Sequence, residues 1–476
     1  LFDALRPTPE LSFAVRHMRA TAGIVITASH NPPKYNGYKV YWSDGGQIVP
    51  PYDGFITEYI ARVTSYAQIR RISRTEAEQN GLLTMIGEGV DAAYLAAIRA
   101  NVIHADVCRR MGKKLRIVYT PLHGTGYVPV CRALKELGFE NVWVVPEQAL
   151  PDGDFTTVRS PNPEDKKAFA LALALAEEKD ADLVLATDPD ADRLGVYVKD
   201  AATGEYIPFT GNMSGLLIAE YLFSQRKTLG RLPADPRDGA LVTTIVSSNM
   251  AHAVAKAYGL SVIETLTGFK YIGEQIRKFE EALAENDGVP CREKGAYVYE
   301  FGFEESYGCL VGTHARDKDA VMAVTALCEA AAFYADAGKT LWDVMQEMYE
   351  RYGYYAEGLE SLTLEGEKGK AQIAEAMRSL RETPPSALSG RPVLAVRDYL
   401  AGVRRSADGK ISPTNLGRSN VLYFELADEG WCCVRPSGTE PKIKFYFGVK
   451  EKSREEARRA LENLKNAFLA RLKHRD

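Results

Sequence analysis

A chain of 476 residues exceeds what one hydrophobic core serves, so several domains are expected. Hydrophobic residues make up 46% and charged residues 26%, a globular composition, and no apolar run is long enough to span a bilayer. A net charge of −4 gives no overall basic field for nucleic acid, although small anions need only local positive charge.

The opening ten residues lack a basic segment followed by an apolar one, so no secretory leader is read there. The seven cysteines (Cys108, Cys131, Cys291, Cys309, Cys328, Cys432 and Cys433) are odd in number and contain no C-x-x-C pair. That pattern fits reduced, mostly buried thiols and a cytoplasmic protein.

Strand-like and helix-like patterns alternate along the chain, which predicts an α/β architecture. Residues 1–90 show one clear strand, 24–26, which runs into the loop Thr27-Ala28-Ser29-His30-Asn31-Pro32-Pro33 and on to Lys39. A buried strand is predicted at 115–119, followed by the Gly-containing loop 121–126 and a helix stopped by Gly138. A strand at 142–145, a helix start at 160–164, an Ala-rich helix to Lys179 and a strand at 182–186 follow. Asp188-Pro189-Asp190-Ala191-Asp192-Arg193 then falls in a loop directly after that strand, where ligands gather in α/β sheets.

A similar unit repeats from about residue 208, with strands at 240–246 and 261–264 and a loop at 267–270. A β run ends at residues 302–308, and a long helix begins near Asp319. Gly, Pro and Glu become frequent between 351 and 392, which suggests a boundary. The remainder is β-rich and closes on an amphipathic helix carrying Ala457, Leu461, Leu464, Phe468 and Leu472. Four domains are expected, at 1–99, 100–207, 208–352 and 353–476.

Four loops carry candidate chemistry. Ser29 can accept a phosphoryl group if its proton is removed and its loop is held rigid, with His30 and Lys39 as acid/base candidates. Its loop alone reads first as a surface turn. Asp188, Asp190 and Asp192 repel one another unless a cation lies between them, which suits Mg²⁺. An EF-hand is rejected because its sixth and twelfth positions would be Arg193 and Lys199. Glu304 and Ser306, two apart on an extended strand, would face one side and could grip vicinal sugar hydroxyls. Arg435 can hold a phosphate bidentately, with Ser437, Thr439 and the amides around Gly438 adding donors. P-loop, H-E-x-x-H and G-x-S-x-G templates are absent.

In this order the four loops resemble the α-D-phosphohexomutase superfamily, over the whole chain. The segments 119–126, 160–164, 302–308 and 316–319 are most similar to its bacterial phosphoglucomutase and phosphopentomutase-related branch. The resemblance implies four domains around a central cleft: three related α/β mixed-sheet domains and a C-terminal α+β domain. It implies that phosphorylated Ser29 exchanges its phosphoryl group with a sugar monophosphate through a bisphosphate intermediate, interconverting glucose 1-phosphate and glucose 6-phosphate.

Carried onto this chain, the resemblance assigns Mg²⁺ to Asp188, Asp190, Asp192 and the Ser29 phosphate. It assigns a second positive charge to Arg193, the general base to Lys39 and an assisting role to His30. Glu304 and Ser306 would take sugar hydroxyls, Arg435, Ser437, Gly438 and Thr439 the non-transferring phosphate, and Lys270 a place near it. Glucose 1,6-bisphosphate is the implied activator, and a monomer or weak homodimer the implied state, with no nucleic acid or membrane partner.

Family members carry a substantial stretch before the serine loop, whereas Ser29 is here the twenty-ninth residue. The first domain is therefore expected to lack its opening strands and to be less stable and less active than a longer form. Phosphomannomutase and phosphopentomutase are alternatives within the class. A metal-dependent sugar phosphatase and a non-catalytic sugar-phosphate binding protein are the alternatives outside it.

Overall fold

Four sheets organise the chain in the computed structural model, which describes residues 1–364, 366–437 and 442–473. The chain divides into two compact units. The first comprises residues 1–243, 258–263 and 268–344, and the second 244–257, 264–267 and 345–476.

In the first unit, strands β1 (Ala22–Ile26) and β2 (Tyr38–Trp42) form an antiparallel pair in which Val25 faces Lys39. The stretch before β2 is rich in turn formers and reads as loop, but pairing with β1 makes residues 38–42 a strand and fixes the face from which Lys39 projects.

The next sheet holds β3 (Arg116–Thr120), β4 (Asn141–Val144), β5 (Leu183–Thr187), β6 (Leu194–Lys199) and β7 (Tyr206–Phe209), in the order β4-β3-β5-β6-β7. β3 is parallel to both β4 and β5, and β6 runs antiparallel to β5. All five residues of β5 are buried, as a strand covered on both faces requires. Its cover includes the helix Ala170–Lys179, whose small Ala172 and Ala176 pack close against Val118 and Val184.

A third sheet has the order β11-β10-β8-β9, from β8 (Gly239–Thr244), β9 (Ser261–Thr265), β10 (Val298–Glu304) and β11 (Gly308–Leu310). The helix Phe269–Glu285 lays Phe269, Ile272, Ile276 and Phe279 on its core, at helical spacing. Helix Ala320–Asp336 is buried continuously from Ala320 to Ala332, so it is a core element rather than an amphipathic one. Among the described residues no single helix is long and apolar enough to cross a membrane.

The second unit contains a fourth, antiparallel sheet in the order β12-β19-β18-β17-β14-β15-β16. Its strands are β12 (Tyr354–Thr363), β13 (Ala387–Leu388), β14 (Arg391–Asp398), β15 (Val403–Ser406), β16 (Ile411–Pro413), β17 (Leu422–Leu426), β18 (Trp431–Pro436) and β19 (Lys442–Glu451). Residues 351–392, where a boundary is expected, also carry regular structure. They hold the ten-residue β12 and the helix Gly366–Glu382, whose Ile373, Met377 and Leu380 enter the core. The closing helix Arg454–Lys473 buries Phe468 against Phe424, Phe445 and Phe447, with ring centroids 5.8–5.9 Å apart. All seven cysteines are free.

The helix Thr8–His17, not anticipated in the sequence, brings the buried Glu10 beside the partly buried Asp91 of helix Glu88–Arg99. Arg6 donates to both oxygens of Asp91 at 2.8 and 2.7 Å, and Glu10 shares a proton with Asp91. Burial, then Asp91, pushes the Glu10 carboxyl up to about 9 from an ordinary 4.5. The folded protein thus keeps a proton that the unfolded chain gives up above 4.5, so stability falls as pH rises through that window. Glu10→Gln keeps a donor for Asp91 and never ionises. It should be more stable than the parent by about 2 kcal/mol at about pH 8, with the difference nearly gone by about pH 5, in thermal melts at both values.

Candidate active site

Ser29 follows β1 with a left-handed backbone, φ +53°, a strained conformation for a residue with a Cβ. Its amide donates to Thr27 Oγ1 at 2.8 Å, which holds the turn. Its Oγ lies 3.1 Å from His30 Nδ1 and donates to Asp188 Oδ2, also at 3.1 Å. Ser160 donates to the His30 carbonyl at 3.2 Å and fastens the loop from the other side.

The three aspartates follow β5 in a turn that bonds to itself. The amides of Asp192 and Arg193 both donate to Asp188 Oδ1 at 3.0 Å. Gly124 packs beneath this turn, where an added Cβ would lie 2.4 Å from the Pro189 Cα. Thr125 donates through its amide and its hydroxyl to the Pro189 carbonyl. Thr8 donates to the Asp190 carbonyl and, through Oγ1, to Asp190 Oδ2 at 2.9 Å.

Three cations surround the turn. Lys39 reaches from β2 to Asp190 Oδ2 and Asp192 Oδ2, 2.9 Å from each. Lys318 lies 3.0 Å from Asp192 Oδ2 and 3.9 Å from Glu304 Oε1. Arg193 pairs with Glu164 and lies 3.8 Å from Asp192 Oδ1.

Lys318 was not among the candidates read from the sequence, although its segment 316–319 is one of those that carry the resemblance. The available signal was its position between two buried apolar segments, β11 and the helix Ala320–Asp336. Gly308 leaves the channel that its stem needs, since a Cβ there would sit 2.2 Å from Lys318 Cδ. Tyr41 donates to Asp317 Oδ2 at 2.5 Å, so β2 places Lys39 and also braces the Lys318 loop. Glu164 and Thr8 are the other contributors missed in the sequence.

The electrostatics follow from burial. Asp188 is fully buried, and burial followed by Asp192 and Asp190 pushes its carboxyl well above the usual range. For Asp192 burial acts the same way, but Lys318, Lys39 and Arg193 outweigh it and hold the group ionised. Burial opposes the charge on Lys39, yet Asp192 and Asp190 overcome it and hold the ammonium protonated. Burial, then the Arg193 charge, drops His30 to about 3, so its imidazole is neutral. Burial raises Glu304.

One ligand atom from each of Asp188, Asp190 and Asp192 lies within 4.8 Å of the others. Asp190 Oδ1 and Asp192 Oδ1 are buried without a hydrogen-bond partner. Buried anionic oxygens of this kind, all hard donors, fit a divalent cation.

The sugar loop departs from expectation. β10 ends at Glu304 and Ser306 lies in the following turn, so the two do not share a strand face. The turn nevertheless brings the Ser306 hydroxyl to the Glu304 carboxylate. The Leu194 amide donates to the Tyr307 carbonyl at 2.9 Å, tying this turn to the aspartate turn.

Lys270 belongs to the first turn of its helix rather than to a loop. Its Nζ stands 5.2 Å from the Tyr271 ring centroid, and it makes no ion pair among the described residues. Arg435 is the penultimate residue of β18 in the second unit, and the Ser437 amide donates to the Lys442 carbonyl at 2.7 Å. Gly438 and Thr439 lie outside the described residues.

A nucleophile-bearing turn, a carboxylate trio and three partly buried cations in one cluster are the equipment of a phosphoryl-transfer enzyme. Family profiles agree over most of the chain. The phosphoglucomutase/phosphomannomutase alpha/beta/alpha domains I, II and III match residues 1–67, 92–204 and 210–352, and the family's C-terminal domain matches 392–465. A phosphoglucomutase of Staphylococcus aureus (strain N315) is 38% identical over 450 residues, 94% of this chain and 76% of the relative.

Two solved structures share the fold. The phosphoglucomutase parafusin of Paramecium, in its open form, has a TM-score of 0.65 at 17% identity, covering 98% of this chain and 80% of that one. A phosphoglucomutase/phosphomannomutase family protein of Burkholderia thailandensis has 0.62 at 19%, covering 98% and 81%. The chain belongs to the phosphoglucomutase/phosphomannomutase family and is an enzyme of the mutase class.

Proposed function

We propose that the chain interconverts glucose 1-phosphate and glucose 6-phosphate, with Ser29 as the phosphoryl carrier. The observation that carries this reading is the Ser29 hydroxyl 3.1 Å from both Asp188 and the neutral His30. In the forward step a sugar hydroxyl oxygen attacks the phosphorus on Ser29, a P–O bond to the sugar forms, and the bond to Ser29 Oγ breaks. The hydroxyl proton passes to a base, a proton is returned to the leaving Ser29 Oγ, and the product is a sugar bisphosphate. After reorientation Ser29 Oγ attacks the other phosphate and the sequence reverses.

Lys39 and His30 are the groups assigned to these protons. Lys39 is held as an ammonium by Asp190 and Asp192, so it can act as a base only when it leaves them. Arg193 and Lys318 bear on the charge that develops on the transferring group. Glu304 and Ser306 would accept sugar hydroxyls. Lys270 and the Arg435, Ser437, Gly438 and Thr439 loop would hold the phosphate that is not in transfer. Asp188, Asp190, Asp192 and the Ser29 phosphate would hold Mg²⁺, which supplies charge neutralisation at the phosphoryl oxygens.

The test is a coupled assay with Mg²⁺ and trace glucose 1,6-bisphosphate, comparing glucose 1-phosphate, mannose 1-phosphate and ribose 1-phosphate. Glucose 1-phosphate should turn over at least about tenfold faster than the others. Chelation with EDTA should abolish turnover, and added Mg²⁺ should restore it. Phosphate release without isomerisation would overturn the reading in favour of a phosphatase.

A further inference from the structure

Thr8 meets the aspartate turn from another element. It opens the helix Thr8–His17, 182 residues before Asp190, and is fully buried. Pro7 and Pro9 flank it and restrict the backbone on both sides, and its β-branched side chain is stiff about χ1. Its amide lies in the first turn of the helix, where no intrahelical acceptor exists. That amide donates to the Asp190 carbonyl at 2.9 Å, and Oγ1 donates to Asp190 Oδ2, also at 2.9 Å. One rigid residue thus holds Asp190 by its main chain and by its carboxylate, which fixes the rotation of that carboxylate.

The two carboxylate oxygens become unequal as a result. Oδ2 accepts from Thr8 and from Lys39, both at 2.9 Å, whereas Oδ1 is buried without a hydrogen-bond partner. Asp192 shows the same division, with Oδ2 facing Lys39 and Lys318 and Oδ1 buried without a partner. The two donors to Asp190 Oδ2 differ in kind. Lys39 is shared with Asp192 and must leave both to act as a base. The Thr8 hydroxyl is uncharged and serves Asp190 alone among the described residues.

We propose that Thr8 is a positioning residue for the divalent cation: it holds Asp190 by Oδ2, so that Oδ1 is the oxygen left to ligate. The proposal rests on the reading of the aspartate turn as a cation site. A partner that orients a ligating carboxylate is worth about 10- to 100-fold in metal affinity.

Isothermal titration of the intact chain with Mn²⁺ tests this without any turnover. The parent should show one saturable site. Thr8→Val, which keeps the shape and loses the hydroxyl, should bind Mn²⁺ about 10- to 100-fold more weakly. Thr8→Ala, which loses the hydroxyl without adding an apolar branch, should weaken it on the same scale. Thr8→Ser, which keeps the donor, should stay within about threefold of the parent. Ser12→Ala controls for the helix. The buried Ser12 hydroxyl donates to the Gly45 carbonyl at 2.6 Å and accepts from the Arg316 amide at 2.8 Å, with no aspartate of the turn among these partners. Its loss should lower the metal-free thermal midpoint and leave Mn²⁺ affinity within about threefold. Thermal melts without metal confirm that each variant is folded. Unchanged affinity in Thr8→Val and Thr8→Ala would overturn the proposal while the cation site stands. An equal loss in Thr8→Ser or Ser12→Ala would overturn it too, by tracing the effect to helix stability. No saturable Mn²⁺ binding to the parent would overturn the cation reading itself, and the proposal with it.

Discussion

Ser29→Ala should lose at least about 10³-fold in kcat with each sugar phosphate that the parent isomerises, while its thermal midpoint stays close to the parent's. The side chain removed is the one hydroxyl that meets both Asp188 and His30, each at 3.1 Å. An acceptor cannot be replaced by better binding, so raising the sugar phosphate should not restore the rate. Ser29 is only partly buried and its strained φ is shared by alanine, which keeps the folding cost of the change small. A coupled assay checks kcat. A variant within about tenfold of the parent would place the phosphoryl acceptor elsewhere.

Lys318→Met should cost about 10²- to 10³-fold in kcat/KM, the scale for removing a preorganised charge from a phosphoryl-transfer site. The stem of methionine still fits the channel beside Gly308, so the change removes charge with little loss of packing. What it leaves is an imbalance. Asp192 is 1% exposed and Glu304 4%, and both lose the ammonium that faces them. Burial already raises Glu304, and without Lys318 it should be raised further. Steady-state kinetics with a parallel thermal melt separate the two effects. Unchanged kcat/KM would show that Lys318 serves packing alone.

How far the site could be read from sequence depended on whether its signal was local. The aspartate trio was legible because alternating carboxylates directly after a fully buried strand have few other uses, and β5 places them there. Ser29 was read through its company: its own loop is a common kind of turn, and the other three loops in order gave it a role. Lys39 was identified as a residue, but its strand was not, because pairing with β1 overrides the turn-forming residues before it. Lys318 was missed although its segment carries the resemblance: nothing local in a run of four charged residues shows that Arg316, Asp317 and Asp319 are themselves buried.

Gly, Pro and Glu between 351 and 392 suggested a boundary, but composition did not show that β12 pairs there with β19 over ten residues, from Tyr354 opposite Glu451 to Thr363 opposite Lys442. Glu304 and Ser306 were paired on the assumption of an extended strand. The turn at 305–307 brings them together by another route.

The central claim is that Ser29 carries the phosphoryl group, and peptide-mapping mass spectrometry after exposure to glucose 1,6-bisphosphate and Mg²⁺ tests it most directly. The account predicts one added phosphoryl group, on the peptide containing Ser29, which disappears when excess glucose 1-phosphate is added and fails to form in Ser29→Ala. A phosphoryl group on an aspartate of the 188–192 turn, or turnover with Ser29 never modified, would contradict it.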